Sequence, residues 1–281
     1  MHHHQKKNRC VGVLQDISGL GRCSLAAALP VLSVMGVQCC PVPTAAYTNQ
    51  TGYPSYASLD CEALLKEFIT QWKAHGVTLD GIYTGFMSST GQLEAVQCFI
   101  DAFRMPGTLL LIDPVMGDNG QRYPCFDEAF CNAVRAFAAG ADVITPNVTE
   151  ACLLTGTSYA FFSEQDAAGQ EALLRRMCET LPPKRIVITG WRKGDFVCNA
   201  AWDHGAFTVQ ASPAAGGSWS GTGDLFTSAL CGGLLRGDGL EACVQRAVRF
   251  LAPALRDAVR MGLPGEGGIP FELHLQELLS T

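Results

Sequence analysis

The feature that most constrains the fold of this chain is the alternation of short apolar runs with longer amphipathic segments. The run Thr108–Ile112 (TLLLI) is apolar after its first residue, as expected for a strand buried on both faces of a parallel sheet. Asp60–His75 instead carries apolar residues at helical spacing. Strands that alternate with helices of this length indicate βαβ units. We therefore predict an α/β fold with a mostly parallel central sheet.

The same periodicities place the elements along the chain, and residues 43–59 fit neither period. The predicted strands are Val11–Gln15, Val37–Val42, Gly81–Thr84, Thr108–Ile112, Asp142–Thr145, Arg185–Thr189, Phe196–Ala200 and Phe207–Ala211. The predicted helices are Ser24–Val34, Asp60–His75, Thr90–Arg104, Phe126–Ala138, Thr149–Thr155, Gln165–Thr180, Thr222–Arg236 and Leu240–Met261. A loop as long as 43–59 inside a compact domain is usually functional.

Composition excludes several classes of protein. Hydrophobic residues make up 48% of the chain and charged residues 16%, which excludes intrinsic disorder. The net charge of −6 argues against a broad basic surface for nucleic acid. No apolar run reaches the ~18 residues of a membrane-spanning helix, and the N-terminus lacks the apolar segment of a signal peptide. The 13 Cys include no C-x-x-C pair, which suggests mostly buried thiols in a reducing cytoplasm.

The length of 281 residues is close to the upper size of a single hydrophobic core, ~250–300 residues. No Pro-, Gly- or Ser-rich linker divides the chain. We therefore predict one domain over residues 10–281. Residues 1–9, which include His2, His3 and His4, are predicted to be a disordered terminus or the remnant of a tag.

Polar clusters follow several predicted strands, where ligands bind in open parallel sheets. The first cluster is Asp16–Arg22 (DISGLGR). It is either a plain Gly-rich turn or a ligand site that uses Asp16 or Ser18. A dinucleotide site is disfavoured, because Ser24 stands where the third glycine is expected and no acid closes the second strand.

Two later clusters carry acids. Asp113 and Asp118, in DPVMGDNG, suit a hydrated Mg²⁺ or a phosphate-bound cation, and equally a turn in which Asp accepts hydrogen bonds from backbone amides. In TPNVTE, Glu150 lies in the first turn of a helix, where the helix dipole favours an acid. Glu150 and Asn147 could also complete a magnesium–water shell.

The sharpest cluster is Gly216–Asp224 (GGSWSGTGD), a Gly-rich loop that opens a helix. Free N–H groups and the positive end of the helix dipole make such a loop an anion site. It lacks the Lys–Ser/Thr pair of a Walker A loop. Asp224 is either a helix cap or an acid that accepts the proton of a hydroxyl attacking a phosphoryl group.

Two further strand ends give weaker signals. In YTGFMSS, Phe86 could stack on a flat ring or fill the core. In TGWRK, Thr189 and Gly190 could contact a nucleotide.

These segments together resemble the pyridoxal/pyridoxamine (vitamin B6) kinase branch of the ribokinase-like superfamily. The resemblance rests on Gly221-Thr222-Gly223-Asp224, on Asp113–Asp118 (DPVMGD) and on Thr145–Glu150 (TPN-x-x-E). The opening Gln15–Gly21 and the Pro43-Thr44 segment fit the same branch. Order and spacing match over roughly residues 10–265. The resemblance implies a three-layer αβα sandwich with a small flap, about residues 44–57, over the site.

The resemblance also implies a function and a set of roles. The expected reaction is ATP-dependent phosphorylation of the 5′-hydroxymethyl group of a B6 vitamer. Asp224 is expected as the base, with the amides of Gly221, Thr222 and Gly223 as the anion hole. The other expected site residues are Asp113, Asp118, Asn147 and Glu150 for Mg²⁺, with Asp113, Asp118, Glu150, Thr189 and Gly190 for the nucleotide, and Asp16, Ser18, Thr44 and Phe86 for the vitamer. A homodimer and a monovalent cation such as K⁺ are implied as well.

Two departures from the family pattern leave alternatives open. Phe86 stands where the branch carries a ring-stacking Tyr, and Asp16 stands where many members carry Ser. The closest alternative is a hydroxymethylpyrimidine kinase with the same fold and the same acid. A sugar or nucleoside kinase is disfavoured, because this sequence shows no evident set of sugar-binding Asp and Asn residues near its N-terminus. A non-catalytic pyridoxal phosphate-binding protein would not need Asp224.

Overall fold

A computed structural model of the protein describes residues 8–279. The segment predicted as a disordered terminus or tag remnant is residues 1–9, and its first seven residues lie outside the described part of the chain. Arg9 already belongs to the first strand, where it pairs with Val37, so the predicted boundary at residue 10 is one residue late.

The strands within residues 8–279 form a nine-stranded sheet and a two-stranded hairpin. They are β1 (Arg9–Ser18), β2 (Val37–Tyr47), β3 (Ser58–Asp60), β4 (Gly81–Thr84), β5 (Leu109–Ile112), β6 (Gly117–Asp118), β7 (Gln121–Arg122), β8 (Val143–Ile144), β9 (Arg185–Lys193), β10 (Phe196–Asp203) and β11 (Ala206–Pro213). The large sheet has the order β11-β10-β9-β8-β5-β4-β1-β2-β3. Its middle strands, from β9 to β2, are parallel, and β3, β10 and β11 are antiparallel additions at the edges.

Helices cover both faces of the sheet. They are α1 (Ser24–Val34), α2 (Glu62–Ala74), α3 (Thr90–Phe103), α4 (Glu128–Ala138), α5 (Val148–Thr155), α6 (Tyr159–Ser163), α7 (Ala167–Thr180), α8 (Thr222–Arg236) and α9 (Leu240–Arg260). Two 3₁₀ segments follow, Gly265–Gly267 and Phe271–Leu278. Among residues 8–279, no helix combines the length and the apolar character needed to cross a lipid bilayer.

The hydrophobic core has two halves, one on each face of the sheet. Residues of α1, α8 and α9 pack with Val11, Val13 and Tyr83 on one face. Residues of α2, α3, α4, α5 and α7 pack with Leu14 and Ile112 on the other. Buried apolar residues on alternate sides of each strand explain why the sequence shows continuous apolar runs. The three-layer αβα architecture with a mostly parallel sheet is therefore confirmed.

Two sequence-based boundaries near the predicted flap are wrong. β1 continues through Ser18, because Ile17 and Ser18 pair with Ala46 and Tyr47 after a bulge. The predicted loop over 43–59 is a strand at both ends, since residues 43–47 continue β2 and β3 pairs back onto it. The loop itself is therefore 48–57. Its main chain is tied to the end of β1 by hydrogen bonds from Leu20 N to Thr48 O, 3.2 Å, and from Gln50 N to Leu20 O, 2.8 Å.

Elsewhere the main differences are a longer β9 and three short elements. β9 continues through Lys193, past the predicted end at Thr189, because β10 pairs with it as an antiparallel neighbour. The helix α6 has five residues and the strands β6 and β7 have two each. None of these three was predicted, because elements this short show no periodicity.

Candidate active site

The predicted polar clusters meet at one edge of the sheet. The carboxyl ends of β1, β4, β5 and β8 lie side by side there. The strand order reverses at β1, which has β2 on one side and β4 on the other. In open α/β sheets this point forms the ligand crevice.

The loop before α8 exposes unpaired amides at this crevice. Gly221, the N-cap of α8, has φ +80° and no side-chain cap, and a Cβ there would collide with the carbonyl oxygen of Arg22. The first bond of the helical ladder runs from Leu225 N to Gly221 O, 3.0 Å. The amides of Thr222, Gly223 and Asp224 therefore precede the ladder, as at any helix start. A Cβ on Gly223 would meet nothing within 4 Å, so an anion can approach these amides closely.

Asp224 lies in the first turn of α8 and is half-buried. Burial, with a smaller contribution from the like charge of Asp16, raises the pKa of its carboxyl to about 7. A hydrogen bond from the backbone of Ser24 opposes this rise. A carboxyl group with a pKa near 7 can accept a proton at neutral pH, as a general base must.

Asp113 lies at the end of β5 and is 7% exposed. Burial raises its pKa well above the usual range, and the negative charges of Glu150 and Asp224 add to this effect. Hydrogen bonds from the hydroxyls of Thr145 and Thr227 oppose it. Thr227 Oγ1 also lies 3.1 Å from Thr145 Oγ1, so the two hydroxyls share one hydrogen-bonding network with Asp113. Asp113 and Asp224 are therefore electrostatic neighbours that share one polar cluster.

Asn147 and Glu150 form a capping box at the start of α5. Glu150 accepts hydrogen bonds from Met116 N at 3.0 Å and from Asn147 N at 2.8 Å. Asn147 Nδ2 donates to the carbonyl oxygen of Gly117 at 2.8 Å. Burial raises the pKa of Glu150 to about 8. In this structure both side chains fasten the DPVMGD loop to α5, which is the helix-cap alternative left open by the sequence.

The carboxylate oxygens at the crevice suit a hydrated Mg²⁺ that is held mainly through a phosphate. Within the described part of the chain, no group of three or more His, Cys, Asp or Glu is arranged to hold a metal by itself. Nor does any ion pair among residues 8–279 involve Asp113, Glu150 or Asp224. A divalent cation would offset the repulsion between these acids. Asp118 is exposed, and its Oδ1 accepts a hydrogen bond from Asn119 N at 2.8 Å.

Asp16 faces the crevice from β1 and is 5% exposed. Burial raises its pKa, whereas hydrogen bonds from two hydroxyls oppose the rise. Ser24 Oγ donates to Asp16 Oδ1 at 2.6 Å, and Ser18 Oγ donates to Oδ2 at 3.2 Å. The structure therefore brings the carboxylate of Asp16 and the hydroxyl of Ser18 together at this edge of the sheet.

The remaining predicted residues lie on either side of this centre. Thr44 is fully buried on β2, and its hydroxyl donates to the carbonyl oxygen of Phe86 at 3.4 Å. The half-buried Phe86 ring lies 5.9 Å from the ring of Phe126, with the planes tilted by 38°. Thr189 forms a parallel β-bridge with Asn147. Gly190, the residue after Thr189, has a φ of +73°.

Two residues of the site were not predicted from the sequence. Thr227 lies three residues after Asp224 on the same helix, and this i, i+3 spacing is a signal that could have identified it. Ser24 begins the apolar helix α1, and nothing in the sequence distinguishes it from a helix cap. Its contact with Asp16 depends on a bend of the chain that only the structure reveals.

Comparison with known proteins gives consistent results. The family model for phosphomethylpyrimidine kinase matches residues 23–269. A crystal structure of a candidate phosphomethylpyrimidine kinase from Bacteroides thetaiotaomicron has a TM-score of 0.92 and 33% identity, and covers 100% of this chain and 97% of its own. A second crystal form of the protein of that description contains pyridoxal.

Two further relatives are pyridoxal kinases. The crystal structure of the enzyme from Lactobacillus plantarum has a TM-score of 0.85 and 28% identity, with 96% of each chain covered. The enzyme from Deinococcus radiodurans is 26% identical over 268 residues, 89% of this chain and 87% of its own. The resemblance to the vitamin B6 kinases and the expectation of an enzyme are confirmed. The family model spans most of the chain, and this protein therefore belongs to the phosphomethylpyrimidine kinase family.

Proposed function

We propose that this protein transfers the γ-phosphoryl group of ATP to the 5′-hydroxymethyl group of a vitamin B6 vitamer: pyridoxal, pyridoxamine or pyridoxine. The observation that carries the proposal is Asp224, whose pKa is raised to about 7, at the start of a helix whose first amides are open. An acid beside an anion site repels a phosphate. It has a function there if it accepts the proton of the attacking hydroxyl.

Each part of the crevice has a role in this proposal. Asp224 accepts the hydroxymethyl proton as the oxygen attacks the γ-phosphorus, whose bond to the bridging oxygen breaks and releases ADP. The amides of Gly221, Thr222 and Gly223 donate to the phosphoryl oxygens, whose charge grows in the transition state. Thr189 and Gly190 border the nucleotide. Loop 48–57 covers the ring and excludes water.

A bound Mg²⁺ would neutralise phosphate charge in the transition state. Asp113 and Asp118 would hold it, with Asn147 and Glu150 fixing the loop that carries them. A monovalent cation such as K⁺ would suit the same acidic edge. The vitamer ring would stack on Phe86 near Thr44, with Asp16 and Ser18 facing its polar substituents. We also propose that the protein acts as a homodimer.

The direct test is an ATP-consumption panel with pyridoxal, pyridoxamine, pyridoxine and hydroxymethylpyrimidine as acceptors. The proposal expects kcat/KM to be highest for one of the three B6 vitamers. A preference for hydroxymethylpyrimidine would instead assign the chain to thiamine synthesis. Asp16 and the family model favour that second candidate, because a buried carboxylate suits the exocyclic amine of a pyrimidine. ATP consumption with none of the four acceptors would contradict both.

The raised pKa of Asp224 predicts a pH dependence of the reaction. A base must be deprotonated to act, so kcat/KM should fall about tenfold per pH unit below about pH 7 and level off above it. Initial rates from about pH 5 to about pH 9 measure this limb. Asp16→Ser removes a like charge that raises the Asp224 pKa, so the limb should move to lower pH in that variant. A flat profile down to about pH 5 would contradict the assignment of Asp224 as the base.

The buried carboxylate of Asp16 also leads us to expect a preference between pyridoxamine and pyridoxal. A carboxylate that faces the ring favours an acceptor with an amine, and Asp16→Ser removes this attraction while leaving a hydrogen-bonding group. We expect the ratio of kcat/KM for pyridoxamine to that for pyridoxal to fall about tenfold in Asp16→Ser, as for loss of one hydrogen bond to a charged group. The wild type and Asp16→Ser should be compared at one pH, with both vitamers assayed on a single preparation of each protein. Equal ratios in the two proteins would show that Asp16 does not select.

A further inference from the structure

Ser24 has an unusual backbone conformation for its residue type. It is the first residue of α1, its φ is +49°, and it is 5% exposed. Residues other than glycine rarely adopt a positive φ, because the Cβ then crowds the neighbouring carbonyl oxygen. Such conformations concentrate at functional sites, where the surrounding structure holds them in place.

This conformation lets one residue contact both acids of the crevice. The side chain of Ser24 donates from Oγ to Asp16 Oδ1 at 2.6 Å, the shorter of the two hydroxyl bonds to that carboxylate. Its backbone also acts on the second acid, since it lowers the pKa of the Asp224 carboxyl against the effect of burial. Asp16 lies on β1 and Asp224 on α8, so Ser24 lies between two elements that carry acids of the crevice.

The surroundings of Asp16 leave this task to hydroxyl groups. Ser18 and Ser24 donate hydrogen bonds to its carboxylate, and its charge raises the pKa values of the Cys23 thiol, the Tyr47 phenol and Asp224. None of the ion pairs formed by residues 8–279 includes Asp16. Without a cation partner, a buried carboxylate depends on donated hydrogen bonds to hold its charge and its orientation.

We infer that Ser24 is a positioning residue, which orients the Asp16 carboxylate toward the acceptor substrate through its hydroxyl. The inference rests on the proposed function. It expects loss of the hydroxyl to weaken binding of the acceptor and to leave the step that uses Asp224 as the base largely unchanged.

Ser24→Gly tests the hydroxyl alone, because glycine accepts a positive φ without strain and keeps the main-chain N–H. We expect KM for the preferred vitamer to rise about tenfold or more, as for a lost hydrogen bond to a charged group. The kcat value should change less than about threefold. The KM for ATP should not rise, and the unfolding temperature should not fall. Ser33→Gly, at an exposed position of the same helix, is the matched control and should leave all kinetic constants unchanged.

A double-mutant cycle with Asp16→Ala decides whether Ser24 acts through Asp16. The inference expects Ser24→Gly to raise KM in the wild-type background and to have little effect in the Asp16→Ala background. An equal rise in both backgrounds, or an unchanged KM in the single variant, would overturn it. A wild-type protein that phosphorylates no acceptor of the panel would overturn the proposed function itself, which keeps the two failures distinct.

Discussion

Asp224→Asn should lose most of its turnover while keeping its fold and its nucleotide binding. Asparagine has the shape of aspartate but cannot accept the hydroxymethyl proton, and general-base help contributes about 10²–10⁴-fold to a rate. We therefore expect kcat to fall by about 10²–10⁴-fold. The dissociation constant for ADP should stay the same or decrease, because the substitution removes a negative charge beside the open amides of α8.

Two measurements make this prediction specific. Calorimetric titration with ADP and a thermal unfolding curve report binding and folding independently of turnover. Glu94→Gln, which neutralises an exposed acid on α3, is the matched control and should behave as the wild type. An Asp224→Asn variant with kcat within about threefold of the wild type would contradict the role of Asp224, because general-base loss costs far more than that.

The sequence predicts the core of this fold because the parallel strands are buried on both faces. Apolar runs such as 109–112 and amphipathic helices such as α9 give strong signals, and both were placed within one residue of their bounds. The edge elements were harder. β3 is exposed at all three positions, and its pairing with β2 depends on a turn at 48–57 rather than on any pattern of its own.

The same contrast holds within the site. Strand-end position was enough to predict that Asp16 and Asp113 face one edge of the sheet, because parallel strands align their carboxyl ends. Asp224 was predicted instead from the Gly-rich loop that opens α8. The strand-end position could not show that the Glu150 carboxylate accepts hydrogen bonds from two backbone amides. Nor could it show that the Ser24 hydroxyl donates to Asp16. Those contacts depend on loop conformation and on a positive φ, which residue types alone do not determine.

Gly221→Ala should lower both stability and activity, because two independent costs fall on one position. The φ of +80° disfavours any side chain, by about 1–2 kcal/mol. In addition, the new Cβ would collide with the carbonyl oxygen of Arg22, which is backbone and cannot rotate away. The loop must therefore shift, and a misplacement of the order of 1 Å near the reacting groups can cost about 10²-fold in rate.

Gly237→Ala separates the two costs. Gly237, the C-cap of α8, has φ +93°, but a Cβ there would meet nothing within 4 Å. It should therefore lower the unfolding temperature through its backbone alone and leave kcat/KM unchanged, whereas Gly221→Ala should reduce kcat/KM by about 10²-fold or more as well. Thermal unfolding and initial rates on both variants make the comparison. Equal kinetics in the two would show that close packing of Gly221 against Arg22 does not position the anion hole.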